Sequence, residues 1–258
     1  MNLLSKKSIT KRNQEVLAYI DNCIKRKQPD RVRVVIFGQG RTGSTLLESL
    51  LCSTGHFYQN GELLSTDQGE IIYPVQYIKG LSKRKSDGHF IFHVKIYHLT
   101  RDRKRPVDPA SFLKSLYYDG FKIIYLKRLN IIKHSLSGLV AEHRGCYHKF
   151  DNGKENLRLF LDCDGFVKKV NERVLFSKEE ELVLSGIRYH EVVYEDDLEN
   201  DAAHQRAVDH TLDFLSLERK KVSTKHIKVN TTSIEKLIVN YNEFVDCMKK
   251  NGWEDFLD

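Results

Sequence analysis

Eight residues in a row, Gly38-Gln39-Gly40-Arg41-Thr42-Gly43-Ser44-Thr45, combine glycines, a cation and hydroxyls. The apolar, β-branched run before them (Val32, Val34, Val35, Ile36, Phe37) reads as a buried parallel strand. Leu46, Leu47, Leu50 and Leu51 after them recur at helical spacing. A strand, a glycine turn and a helix N-terminus bring backbone N–H groups and the positive end of a helix dipole to one spot, which suits a phosphate. Gly38 and Gly43 keep the spacing of the nucleotide-binding pattern GxxxxGK[ST], but Ser44 stands where its lysine belongs and the cation falls at Arg41. The loop is therefore built for a phosphate and poorly built for ATP with magnesium. The plainer alternative is a turn that only connects a strand to a helix.

Two further places carry reactive side chains. In KIIYLKRLNIIKHSLSGLVAEH a strand feeds a helix with Arg128 at the junction and Ser135 and Ser137 further along. A strand-end arginine can make two charge-assisted bonds to a phosphate, with a serine hydroxyl completing the shell. It can equally pair with a carboxylate while the serine faces solvent. In FIFHVKIYHL, Lys95 sits in a strand expected to be half buried, where it needs an anionic partner, unless it lies on an exposed face. His98 follows three residues later. Glu62, after a glycine in the turn-rich GHFYQNGELLS, can fold back over the carboxyl ends of a parallel sheet, or simply cap a helix or face solvent.

The elements that must hold these residues alternate. Residues 13–27 read as an amphipathic helix with Val16, Leu17, Ile20 and Ile24 on its apolar face. Strands are expected at 32–37, 90–99, 121–126 and 189–194. Helices are expected after the first loop, at 110–118, 130–142, 208–215 and 234–248, and over most of 153–184; 71–81 reads as a short helix or an irregular segment. Arg101–Arg105 (RDRKR) reads as a loop, either a solvated basic surface or a patch attracting an anionic acceptor. Alternating strands and helices imply an α/β fold, a central and mostly parallel sheet flanked by helices in three P-loop-like layers.

The chain has 258 residues and a formal charge of +7, enough for one large domain (1–258, with a leading helix in 1–30) and suited to an anionic ligand. Its cysteines, Cys23, Cys52, Cys146, Cys163 and Cys247, are scattered and odd in number, which reads as free thiols in a reducing compartment. No metal-ligand spacing, apolar signal core or membrane-length run is present in the sequence, so the expectation is a soluble cytoplasmic protein.

GQGRTGSTLLESLL resembles the 5′-phosphosulfate loop of sulfotransferases that use 3′-phosphoadenosine-5′-phosphosulfate (PAPS), in particular the bacterial carbohydrate enzymes of the trehalose and nodulation-factor type. Their later motif, with leucine, arginine and asparagine at alternate positions and a serine further along the helix, is similar to the segment carrying Arg128 and Ser137. RYHEVVYEDDLEND is similar to their YEDL turn, and VSTKHIKVN with LIVNYNEFVDCMK resembles their closing section. The resemblance spans 32–248. It implies that Gly40, Arg41, Thr42, Gly43, Ser44 and Thr45 hold the 5′ end of PAPS, that Arg128 and Ser137 hold its 3′-phosphate, and that Lys225 approaches the nucleotide from a basic loop. It further implies Glu62 as the base, Lys95 as the cation at the bridging oxygen, and His98 as an alternative base. The acceptor it implies is a hydroxyl, on a glycan or glycolipid.

Such a transfer is an in-line displacement that requires no metal in principle. A P-loop kinase or NTPase is the nearest rival, and it would need a lysine at Ser44. A noncatalytic binder of polyanions or nucleic acid is another, but no run of aromatic and basic residues forms a stacking platform, so no nucleic-acid partner is expected.

Overall fold

The computed structural model describes residues 6–84, 87–144, 157–224 and 233–257. Its sheet has five strands, β1 (Arg33–Gly38), β2 (Phe57–Gln59), β3 (His89–Val94), β4 (Lys122–Lys127) and β5 (Tyr189–Val193), in the order β2-β3-β1-β4-β5. Every pairing between them is parallel. Around it run α1 (Lys6–Ile24), α2 (Ser44–Ser53), α3 (Pro74–Ser82), the short α4 (Ile96–Leu99), α5 (Pro109–Tyr118), α6 (Ile131–Arg144), α7 (Cys163–Leu184), α8 (Asp201–Leu215), the short α9 (Ile234–Leu237) and α10 (Tyr241–Lys250).

Strand periodicity sorts the core into two layers. Val35, Phe37, Phe90, Phe92, Ile123 and Tyr125 face α3, α5 and α7. Val34, Ile36, Ile91, Ile124 and Leu126 face α2 and α8. With both faces covered, the inner strands are continuous apolar runs, as parallel sheets require. A third cluster joins α6, α7, α9 and α10.

The register aligns the strand ends: Phe37 lies opposite Val94, and Gly38 opposite Leu126. The candidate loop follows β1, Glu62 follows β2, Lys95 follows β3 and Arg128 follows β4. The order reverses at β1, flanked by β3 and β4, which opens a crevice at the carboxyl ends where ligands of such sheets gather.

Several expectations are corrected. The run 90–99 is not one strand: β3 stops at Val94, Lys95 is extended, and 96–99 form a helical turn. A short run of apolar residues does not reveal where a strand gives way to a helix. Phe57–Gln59, expected within a turn-rich segment, is an edge strand on β3. The helix expected at 234–248 is broken into α9 and α10 by Ile238, which bridges Leu159. In α1 the expected apolar face points outward: Val16, Leu17, Ile20 and Ile24 are exposed, while Glu15, Ala18 and Asp21 are buried. Glu15 is satisfied there by the N–H of Ile72 and by Tyr19. Within the basic loop, Arg103 is buried and donates to Ile71 O and Arg105 O, while Arg101 pairs with Glu172 and lies over Phe176.

The cysteine expectation is corrected as well. Cys163, opening α7, and Cys247, in α10, form a disulfide with Cα atoms 6.3 Å apart. They are 84 residues apart in sequence, so their spacing gave no sign that the third cluster packs one against the other. Cys23 and Cys52 are free, and Cys146 lies outside the described residues. Among the described residues no helix is long and apolar enough to cross a membrane.

Candidate functional site

The loop 38–45 is held open from several sides. Arg41 (φ 71°) and Gly43 (φ 97°) both take left-handed backbone, a conformation that costs a non-glycine residue of order 1 kcal/mol or more and concentrates at functional sites. Gly43 caps α2 without any side-chain bond to the first turn. The first-turn amides of α2, including those of the half-buried Ser44 and Thr45, thus have no carbonyl one turn before them and no capping oxygen. The Thr42 hydroxyl donates its proton inside the turn, to Gln39 O at 2.7 Å, so the donor that Thr42 can offer an anion is its backbone N–H.

Gly40 lies against α4. Its N–H donates to Tyr97 Oη at 3.1 Å, and a Cβ added there would fall 2.2 Å from that oxygen and 3.3 Å from Lys95 Cε. Burial raises the pKa of the Tyr97 phenol, which therefore stays neutral.

The second candidate motif closes on the same loop. Arg41 Nε donates to Ser137 Oγ at 3.2 Å, and Arg128 Nη1 donates to Arg41 O at 3.2 Å. Arg128 lies over the Tyr194 ring at 4.3 Å and has Glu195 at 3.6 Å. Glu195 itself accepts from the N–H groups of Leu129 and Asn130, so the turn after β5 fixes the start of α6. Ser135 is buried among the neighbouring residues.

Arg173, in α7, went unread in the sequence. Its Nη1 reaches Gly40 O at 3.3 Å and Gln39 Oε1 at 3.4 Å, while Gln39 Nε2 donates to Arg173 O and Ser177 Oγ. His134 Nε2 stands 2.8 Å from both Gly40 O and Arg173 Nη1. Burial first, and the charge of Arg173 second, push His134 well below the usual histidine range, so the ring is neutral. Arg41, Arg128 and Arg173 are close enough to depress the proton affinity of that one imidazole. Like charges held so near one another are costly unless an anion offsets them.

Facing this basic group is a second cluster. Glu62 Oε1 is 2.6 Å from Lys95 Nζ and 3.2 Å from His93 Nε2, and Oε2 is 3.7 Å from His98 Nε2. Had 95–98 continued as a strand, Lys95 and His98 would point to opposite faces; the helical turn at 96–99 brings both to Glu62. Burial alone would raise the Glu62 carboxyl, but the His93 and Lys95 contacts win and hold it well below the usual carboxylate range. His98 is pushed down to about 4, by burial and then by Lys95, so it is neutral at pH 7. His93 is raised: burial opposes protonation, but Glu48 and Glu62 on its two sides outweigh it. Among the described residues no group of three histidine, cysteine, aspartate or glutamate side chains is placed to hold a metal. Lys225 lies outside the described residues.

No protein-family model matches the chain, and no curated protein matches it. Its α/β fold is, however, shared with a solved structure. The crystal structure of a sulfotransferase from Alicyclobacillus acidocaldarius is similar, with a TM-score of 0.51 at 14% identity over 88% of this chain and 96% of that one. Two further structures match less well: a sulfotransferase domain from the curacin biosynthetic pathway (TM-score 0.44, 15% identity, 74% of this chain and 76% of that one) and mouse sulfotransferase SULT7A1 complexed with PAP (0.49, 12%, 96% and 89%).

Proposed function

We propose that the protein is a sulfotransferase that moves the sulfuryl group of PAPS to an acceptor hydroxyl, with a glycan or glycolipid as the acceptor class. The observation that carries this reading is the junction of the two candidate phosphate motifs. Arg41 and Ser137, and Arg128 and the backbone of Arg41, are in direct contact although they come from separate strand-to-helix turns. A donor with two phosphates close together needs two such motifs side by side; ATP needs one loop with a lysine and magnesium.

In this reading the backbone N–H groups of Thr42 to Thr45 and the close backbone approach at Gly40 take the 5′-phosphate. Arg128 and Ser137 take the 3′-phosphate. Arg41 is shared, its backbone in the loop and its guanidinium toward Ser137. Lys225 keeps a role at the nucleotide on resemblance alone. PAPS supplies a sulfuryl group on a bridging oxygen, and transfer leaves adenosine 3′,5′-bisphosphate. Glu62 takes the proton of the acceptor hydroxyl as its oxygen bonds to sulfur, and Lys95 offsets the charge on the departing phosphate oxygen. Lys95 cannot serve both at full strength: as it turns to the leaving oxygen, it releases Glu62 and restores the basicity that the ion pair suppresses.

The test is incubation with labelled PAPS and a panel of glycans, lipids and phenols, followed by mass detection of a sulfated product. A product from a glycan supports the reading; phosphorylated product from ATP, with none from PAPS, sinks it.

A further inference from the structure

Glu48 lies one turn into α2, four residues after Ser44, and is fully buried. A buried carboxylate is costly unless every oxygen is engaged. Here Oε1 accepts from the N–H groups of Asn60 and Gly61, both at 2.9 Å, and Oε2 stands 2.9 Å from His93 Nδ1. His93, also buried, has its N–H on Gly61 O at 3.1 Å, and its Nε2 faces Glu62. The Asn60 amide ties the same loop to Ile91 O at 2.7 Å. One carboxylate thus fixes both the loop that presents Glu62 and the imidazole that faces it, from the helix whose first turn forms the phosphate loop.

We infer that Glu48 and His93 are positioning residues for Glu62, coupling the base to the donor-binding helix through the contacts Glu48–His93–Glu62. This rests on the reading of Glu62 as the base. Proton transfer works only from a narrow range of geometries, and these contacts, together with Lys95, tie the loop that carries Glu62 to the sheet end. The charged and titratable groups around Glu62 are His93 and Lys95 from β3 and its end, Tyr97 and His98 from α4, Glu48 of α2 behind His93, and Asp67, which faces His98. Removing the imidazolium leaves Lys95 as the one full positive charge against Glu62 among them. The carboxyl must then hold its proton to higher pH.

The experiment is a carbon-13 NMR titration of the Glu62 carboxyl in the full chain, in wild type, His93→Gln and Glu48→Gln, with affinity for adenosine 3′,5′-bisphosphate measured in each. His93→Gln should move the Glu62 titration up by about one pH unit or more, the usual worth of one adjacent opposite charge, and both variants should leave bisphosphate affinity within about twofold. A His93→Gln protein that binds the bisphosphate normally and titrates Glu62 as wild type overturns the inference. If Glu48→Gln does not fold, His93→Gln alone decides it, because its glutamine retains a donor for Glu48. Turnover of labelled PAPS by Glu62→Gln is measured in parallel: undiminished turnover overturns the base reading and this inference with it, whereas lost turnover with an unshifted titration in His93→Gln overturns the inference alone.

Discussion

Lys95 Nζ and Glu62 Oε1 lie 2.6 Å apart, one from the end of β3 and the other from the loop after β2. The pair joins the cation and the carboxylate that the proposed transfer needs separately. Each partner holds the other until the leaving oxygen competes for the lysine. Glu62→Gln loses turnover by about a hundredfold or more, the usual worth of a general base, while bisphosphate affinity is unchanged. His98→Asn, with His98 neutral and 3.7 Å away, loses far less. Steady-state kinetics of both variants checks this, and a dead His98→Asn beside an active Glu62→Gln reverses the assignment.

Arg128→Ala separates the two phosphates. Arg128 meets the loop at Arg41 O, so its loss should weaken adenosine 3′,5′-bisphosphate strongly, by about tenfold or more for one charge-assisted contact. Adenosine 5′-phosphosulfate, which lacks the 3′ group, should bind nearly as before. Calorimetry with both ligands reads the difference; an equal loss for the two would remove Arg128 from the 3′ site.

Gly40→Ala drives a Cβ to 2.2 Å from Tyr97 Oη, an overpacking that costs about 1–3 kcal/mol. Tyr97→Phe removes the oxygen that is struck. The double variant should therefore be more stable to urea than Gly40→Ala alone. No recovery would mean that the loop itself, and not the phenol, rejects the methyl.

Much of this was legible because it is local. The strand, glycine turn and helix around Arg41 are contiguous, as are the strand, Arg128 and the helix bearing Ser137. Glu62 was read only as part of a turn-rich segment able to fold back over the strand ends; the short strand β2 that precedes it was not foreseen. What stayed hidden depends on contacts distant in sequence. Arg173 sits in a stretch that the sequence marks only as mostly helical, yet 134 residues separate it from the Gln39 side chain it braces. Glu48 looks like a surface position on an amphipathic helix until its acceptors, Asn60, Gly61 and His93, are seen around it. The outward face of α1 shows the converse: apolar spacing marks a helix but does not say which side the core takes when Glu15 finds partners inside.

Glu180 gives a pH-dependent prediction. Its carboxyl is buried with one oxygen unpartnered, and burial pushes it up to about 8. The folded protein therefore holds a proton there that the unfolded chain has released above about pH 4.5. Stability from this group is present below about pH 4.5 and is lost as pH rises toward 8. Glu180→Gln, which keeps an acceptor for the Tyr125 hydroxyl, should be more stable than wild type at pH 8 by on the order of a few kcal/mol, and nearly equal to it at pH 5. Urea melts at the two pH values check it; a constant difference across them would show that Glu180 does not titrate in this range.

The most direct test of the account is the ligand that the loop 38–45 and the Arg128–Ser137 segment select together. Binding of adenosine 3′,5′-bisphosphate and of ATP with magnesium should be measured side by side by calorimetry, with EDTA added to the bisphosphate arm. The account predicts that the bisphosphate binds at least tenfold more tightly and is indifferent to EDTA. Preference for magnesium ATP, or bisphosphate binding abolished by EDTA, would contradict it.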